Sequence, residues 1–400
     1  MAKKTAAPVV PGFRSSGICC GIKPRDLDLA LIVSDRPASV AGVFTRSTVV
    51  GAPVELCRER IASGRGRAVL VNSGISNVAM GARGRRDALR MATWTARALG
   101  CEVDDVFVAS TGVIGEPLPM DCLRTGIPRA AAALRREGLA DAGEAIRTTD
   151  TFAKIACRKV PVAGRMVRVA GIAKGSGMIE PNMATMLSFL LTDAAASPAY
   201  LRGVLRRVAD ETYNRVTVDG ESSTSDSVLL FANGLAGHTR LTARTSPGAD
   251  AFETAVRAVA TDLARDLARD GEGATKLITV WVRGARSNAQ AEGAARRIAN
   301  SLLVKTAVFG RDPNWGRILQ TVGAGRTQLN LDRTRVKLGG ITVFRRGASA
   351  GPAARERARA RLDRDEVDIE VDLGVGRGAA RVWTCDLSYD YVRINAEYTS

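Results

Sequence analysis

Hydrophobic and polar positions change period repeatedly along these 400 residues, which predicts strands and helices mixed through the whole chain. Leu29 to Val33 and Val40 to Phe44 are short apolar runs that read as two strands, with Asp35-Arg36-Pro37 as the turn between them. Ala68 to Asn72 predicts a third, buried strand, and Val106 to Ser110 a fourth that runs into Thr111-Gly112. Between these, Arg85 to Leu99 keeps the spacing of an amphipathic helix. Pro119 to Ala140 is helical and interrupted or ended near Pro128, whose ring removes a backbone donor. Lys154 to Val160 and Arg165 to Ile172 pattern as a hairpin about Ala163-Gly164.

A glycine-rich loop then leads into the apolar run Met186 to Leu191. Ser197-Pro198 caps a helix reaching about Tyr213. Val228 to Ala232 is a strand, and Ala249 to Arg269 a long amphipathic helix closed by Asp270-Gly271-Glu272-Gly273. Leu277 to Val282 alternates as a strand, and Ser287 to Asn300 is a helix. Beyond residue 300 the elements shorten to Val304–Phe309, Arg335–Phe344, a charged helix Pro352–Arg364, Val367–Leu373 and Ala380–Leu387. Gly374-Val375-Gly376-Arg377-Gly378 is expected to bend the chain between the last two strands. Arg345 to Arg364 reads as a linker or surface excursion, and no internal repeat is visible. The pattern gives an α/β or α+β class, long enough for one large domain or two moderate ones.

Composition narrows the function classes. Apolar residues are 46% and charged residues 25% of the chain, as in a soluble globular protein. No apolar run approaches the roughly 20 residues that span a bilayer, and Met1 to Pro11 lacks the apolar centre of a secretory signal. The seven cysteines are odd in number and scattered, with no C-x-x-C, which predicts reduced thiols in a cytoplasmic protein. The net charge of +17 admits an anionic partner, nucleic acid among them. Yet the basic clusters at Arg83–Arg86, Arg355–Arg364 and Arg65/Arg67 are short and separate, and aromatics are only 4%. That is not a stacking platform for single strands. A solvated surface or a small anionic substrate accounts for the charge as well.

His238 is the only histidine, which excludes H-E-x-x-H zinc sites. It follows Asn233-Gly234-Leu235-Ala236-Gly237 and is expected in a surface turn. No G-x-S-x-G elbow accompanies it, and no Walker A loop or G-x-G-x-x-G follows a strand. The sequence thus suggests no metal and no nucleotide cofactor.

Residues 171–187 read Gly-Ile-Ala-Lys-Gly-Ser-Gly-Met-Ile-Glu-Pro-Asn-Met-Ala-Thr-Met-Leu. Here a hydroxyl residue, Thr185, follows a small one, Ala184, at the mouth of an apolar strand. A threonine hydroxyl is a poor nucleophile. If its own peptide bond is broken, it gains an α-amine whose pKa of about 7.7–8.0 suits a general base near neutral pH. Nucleophile and base are then one residue, and no imidazole is needed. By pattern alone such a loop is ordinarily just a turn.

The same segment resembles the autoprocessing site of the ornithine acetyltransferase family, the bifunctional glutamate N-acetyltransferases of arginine biosynthesis. Leu29 to Thr45, Ser110 to Gly115, Thr148 to Thr151, Asp270 to Lys276, Val304 to Arg317 and Tyr391 to Ser400 are also similar to family segments, in the family's order. The resemblance implies a layered α-β-β-α sandwich, with a smaller C-terminal α/β part at about residues 300–400. It implies self-cleavage between Ala184 and Thr185 into chains 1–184 and 185–400, which share the large domain. Thr185 would be the nucleophile, with the Thr111 hydroxyl and the Gly112 N–H stabilising the oxyanion. Thr151, Lys174, Glu272, Asn395 and Ser400 would hold substrate beside Thr185. The implied reaction takes acetyl from N-acetylornithine onto Thr185, releases ornithine, and passes acetyl to glutamate to give N-acetylglutamate. Double displacement of this kind gives ping-pong kinetics. Acetyl-CoA stands as an alternative donor, and an assembly of two or more α/β pairs is implied. Gly175-Ser176-Gly177 is expected to let the new chain end move aside.

The chain departs from the family pattern at Ile75-Ser76-Asn77-Val78, where Asn-Ala-Asn-Ala is usual, and at Ala153 and Leu302, where proline is usual. Glu221-Ser222-Ser223-Thr224-Ser225-Asp226 also replaces the usual Asp-Thr-Ser-Thr-Asn-Asp. None of these removes a position matched to the chemistry, but they leave open a paralogue with another acyl acceptor. From a different class, a basic nucleic-acid-binding protein on the same fold would stay an uncut chain.

Overall fold

The computed structural model describes residues 8–180 and 186–397. Its first sheet contains β1 (Phe13–Ile18), β2 (Leu29–Phe44), β3 (Arg65–Ile75), β4 (Val106–Val113), β5 (Lys154–Val162), β6 (Arg165–Lys174), β7 (Leu187–Thr192) and β8 (Ser227–Ala232). The order is β4-β3-β2-β8-β7-β6-β5, with β1 paired to the first part of β2.

Side-chain alternation decides how this sheet closes. Leu29, Leu31, Val33, Ala68, Leu70, Val106 and Val108 point to one face and Ala30, Ile32, Val69, Val71, Phe107 and Ala109 to the other. The second set shares its core with Leu187, Phe189 and Leu191 of β7. Phe107 of β4 meets Phe231 of β8 edge to face at 5.9 Å, although β3 and β2 separate them in strand order. The sheet is therefore folded over, with an inner core between its halves.

Helices cover both outer faces. α1 (Ala52–Arg60), α2 (Gly81–Leu99) and α3 (Met120–Ala132) pack on the half carrying Leu70 and Val108. α4 (Leu139–Ala145) reaches into the inner core. α5 (Pro198–Glu211) and α6 (Ala249–Arg269) pack on the half carrying Val169, Leu190 and Leu230. On α6 the buried Phe252, Val256, Val259, Leu263 and Leu267 form one helical stripe. The result is the α-β-β-α layering.

A second sheet contains β9 (Leu277–Ala285), β10 (Arg335–Leu338), β11 (Ile341–Arg345), β12 (Ala348–Ser349), β13 (Glu366–Asp372) and β14 (Gly378–Cys385), in the order β12-β11-β10-β13-β9-β14. Its core of Val280, Val282, Ile369, Val371 and Val382 is covered by α7 (Asn288–Ala299), α9 (Trp315–Ala324) and α10 (Pro352–Arg361). α8 (Leu302–Phe309) and α11 (Tyr389–Glu397) complete the described helices. Among the described residues no helix is long and apolar enough to cross a membrane.

Several expectations need correction. The turn predicted at Asp35-Arg36-Pro37 is not formed. β2 runs through it as one extended strand with a bulge, its partners jumping from Val33↔Ala68 to Ala38↔Gly66. The Arg67 guanidinium donates to the freed carbonyls of Ser34 and Asp35 at 3.3 and 3.2 Å, and Pro37 has no N–H to satisfy. α3 passes through Pro128, and the break falls after Ala132. Arg335 to Phe344 is a hairpin, turned by Gly339 and Gly340 at φ +54° and +81°. The hairpin predicted at Ala163-Gly164 forms, both residues taking positive φ.

Candidate functional site

The parallel strands β3 and β4 end side by side, with Ser73 opposite Thr111 and Gly74 opposite Gly112. Gly112 has φ +126° and Gly74 φ +104°. A Cβ on Gly112 would lie 2.3 Å from the carbonyl carbon and oxygen of Gly74. Only glycine lets the strand ends come this close with that backbone. Thr111 is thereby set at the rim of a cleft.

Lys174, the last residue of β6, rises into the same cleft. Its Nζ donates to Thr148 Oγ1 at 2.8 Å and to Thr111 Oγ1 at 3.1 Å. Burial pushes this ammonium below the ordinary lysine range. Asp150, Asp226 and Glu272 oppose that shift, and Lys154 adds to it. The Glu272 carboxylate accepts from Asn395 Nδ2 at 2.8 Å, and its backbone N–H donates to the Ser176 carbonyl at 2.9 Å. A Cβ on Gly177 would lie 2.5 Å from the Glu272 carboxylate, so glycine there lets the acid lie against the loop.

Thr111, Gly112, Lys174, Glu272 and Asn395 thus line one cleft. Thr151 does not. Its hydroxyl and N–H both donate to Asp270, and it borders a neighbouring groove. Ala184, Thr185 and Ser400 lie outside the described residues. Met186 lines the cleft.

In the uncut chain the Gly-Ser-Gly stretch is held by hydrogen bonds. Gly175 N–H donates to Asp150 Oδ1 at 2.7 Å, and the hydroxyls of Ser176 and Thr149 are 2.6 Å apart. Met178, at φ +55°, turns the chain, and its N–H and that of Ile179 donate to the two oxygens of Asp219 at 2.7 and 2.8 Å. Glu180 N–H donates to Glu221 O at 2.7 Å, and its carboxylate accepts from Asn300 Nδ2 of the residue closing α7 at 2.8 Å. The loop up to Glu180 is pinned at nearly every residue.

Sequence reasoning missed other residues of the cleft. Thr148 was visible only within Thr148–Thr151. Asp226 lines the cleft with Oδ2 unpartnered among the described residues. Burial pushes its carboxyl well above the ordinary aspartate range, against a hydrogen bond from Ser223, the charge of Lys174 and the Met186 N–H. Two departures from the family pattern meet here, Ser76 Oγ lying 3.0 Å from Ser225 Oγ. His238 is not a surface residue but a buried one. Its Nε2 accepts from the Ala195 N–H at 3.0 Å, which makes Nδ1 the donor to Thr239 O at 2.7 Å. It braces a loop and does not line the cleft.

The sequence model of the ArgJ family matches residues 14–400. The "arginine biosynthesis bifunctional protein ArgJ" of Geobacter sulfurreducens is 48% identical over 390 residues, covering 97% of this chain and 99% of that protein. The protein of the same name from Symbiobacterium thermophilum is 48% identical, covering 97% and 96% respectively. The crystal structure of the arginine biosynthesis bifunctional protein argJ from Bacillus halodurans superposes with a TM-score of 0.51 at 44% identity. It covers 54% of this chain and 100% of its own.

Proposed function

We infer the activity from one premise: this chain belongs to the ArgJ family. It is an enzyme of acetyl transfer in arginine biosynthesis. The reaction we propose moves acetyl from N2-acetyl-L-ornithine to L-glutamate through an ester on Thr185. Thr185 Oγ first attacks the Ala184 carbonyl, the C–N bond breaks, and the proton passes to the departing amine. Water then hydrolyses the ester, leaving chains 1–184 and 185–400. The freed α-amine of Thr185 takes the proton of its own hydroxyl as Oγ attacks the acetyl carbonyl of the donor. Ornithine leaves, and the glutamate amine reclaims the acetyl.

The observation that carries this reading is the hydrogen bond from Lys174 to Thr111 beside Gly112. Because Thr111 Oγ1 accepts from an ammonium, its own hydrogen remains available as a donor to an oxyanion, next to the Gly112 N–H. Lys174 can receive a substrate carboxylate, and Glu272 with Asn395 can face the ammonium end. Self-cleavage is supported by length. The fragment Thr185 to Ser400 is 216 of 400 residues, which is the 54% share that the Bacillus halodurans chain matches along its whole length.

We place the reaction in the cytoplasm, to which the seven free cysteines are suited. The working enzyme is read as an assembly of α/β pairs with no bound cofactor and with acetyl-CoA as a second donor. The test is acetyl transfer to glutamate from N-acetylornithine and, separately, from acetyl-CoA, with other amino acids as rival acceptors because Ser76 and Ser225 depart from the family pattern. A denaturing gel should show two fragments, and Thr185→Ala should stay uncut and inactive. Cleavage of that variant at the same bond would remove Thr185 as the nucleophile.

A further inference from the structure

Three charges lie beneath the cleft and take no part in the mechanism above. The side chains of Lys154 and Asp150 are 0% exposed and that of Asp270 2%. Lys154 Nζ bridges Asp150 Oδ1 at 2.7 Å and Asp270 Oδ2 at 2.5 Å. Each carboxylate also holds backbone. Asp150 accepts from the N–H of Thr148 at 3.0 Å and of Gly175 at 2.7 Å, and Asp270 from the N–H of Thr151 at 3.1 Å. The segments tied together in this way are those that carry Thr148, Lys174 and Glu272 to the cleft.

Charge does not balance inside this knot, because two carboxylates share one ammonium. A buried charge without its complement is far more costly than a paired one. The missing positive charge is next door. Lys174 precedes Gly175, and among the described residues its ammonium donates to neutral hydroxyls. We propose that the Asp150–Lys154–Asp270 knot is the counter-charge and mounting of Lys174, so that Asp150, Lys154 and Asp270 are positioning residues for acetyl transfer. This rests on the reading of Lys174 as the cation that receives the substrate carboxylate.

The groups that act on Lys174 are Asp150, Lys154, Asp226 and Glu272, and Lys23 feels its charge in turn. Within the knot, Asp150 favours the charged form of Lys174 and Lys154 disfavours it, Asp150 being the stronger. Asp150 itself, which burial alone would raise, is held below the ordinary aspartate range by Lys154 and Lys174 together. The two members of the knot therefore push Lys174 in opposite directions, and a purely structural role predicts no such opposition.

The experiment is the pH dependence of kcat/KM for N-acetylornithine, with glutamate saturating, in the self-processed enzyme. Activity falls as pH rises through the point where Lys174 loses its proton. Asp150→Asn should move this alkaline limb down by about one pH unit, and Lys154→Met should move it up by a similar amount. Asp226, Glu272 and Lys23 are untouched in both, so opposite shifts belong to the knot. If either single variant is recovered only unfolded, the charge-balanced pair Asp150→Asn/Lys154→Met replaces it. There the loss of the stronger influence should still lower the limb. Superimposable limbs in folded variants would overturn the proposal. No transfer by the wild-type enzyme would instead overturn the function on which it rests.

Discussion

Replacing Gly112 by alanine places a methyl carbon 2.3 Å from the carbonyl carbon and oxygen of Gly74 and 2.7 Å from Ile75 N. All three are backbone atoms of the adjoining parallel strand, so no side chain can swing aside. The strand ends must separate, and a backbone at φ +126° must accept a side chain, a strain of about 1–3 kcal/mol. Separation also turns the Gly112 N–H away from the proposed oxyanion. Loss of one such donor costs about 3 kcal/mol, on the order of 10²-fold in kcat. The assay is initial-rate acetyl transfer from N-acetylornithine to glutamate, together with the fraction of chain processed on a denaturing gel. Gly115→Ala is the control. It lies just past the end of β4 at φ +86°, and among the described residues no atom beyond its chain neighbours comes within 4 Å of the added carbon. Its kcat should stay within about threefold of wild type, as for a substitution without a clash. Equal rates for the two variants would refute the reasoning, because the clash and the lost donor are what separate them.

Asp226→Asn should stabilise the fold at neutral pH. A carboxyl pushed up by burial favours folding below its unfolded pKa of about 3.9, and that advantage fades as pH rises towards its folded pKa. Tm measured from pH 4 to 8 should fall for wild type relative to the variant, and parallel curves would count against it. Asn300→Ala removes the donor to Glu180 and the acceptor of the Thr217 hydroxyl. Fragment appearance should slow about tenfold, from roughly 1–1.5 kcal/mol of lost loop pinning; an unchanged time course would show that the anchor is irrelevant to processing. In alkylation with iodoacetamide, exposed Cys157 should label first. Cys57, pushed up to about 12 by burial, should label only on unfolding. Mass mapping before and after denaturant checks the order.

Legibility in the sequence followed the range of the interactions concerned. α6 was readable to its ends because a five-residue apolar stripe and a closing Asp-Gly make it locally self-consistent. β2 was not, because Asp-Arg-Pro is genuine turn chemistry and the groups that keep it extended come from Arg67, about thirty residues away. His238 was misjudged for the same reason, its partner Ala195 lying 43 residues away. At the cleft, Thr111, Gly112, Lys174, Glu272 and Asn395 could be named only by resemblance, and no spacing rule brings them together. Lys154 and Asp270 lie 116 positions apart, so their pairing leaves no local trace. Asp226 was visible only as the last residue of the Glu221–Asp226 segment, just before an apolar strand.

In the first sheet β7 and β8 are flanked by β2 on one side and β6 on the other. Opening the backbone after residue 184 would put the inner pair on the later piece and both flanking strands on the earlier one. Neither piece would hold the whole of this sheet. Made alone, each would expose raw strand edges ready to stick to other chains. An enzyme rebuilt from two genes would have to fold with both products present from the start.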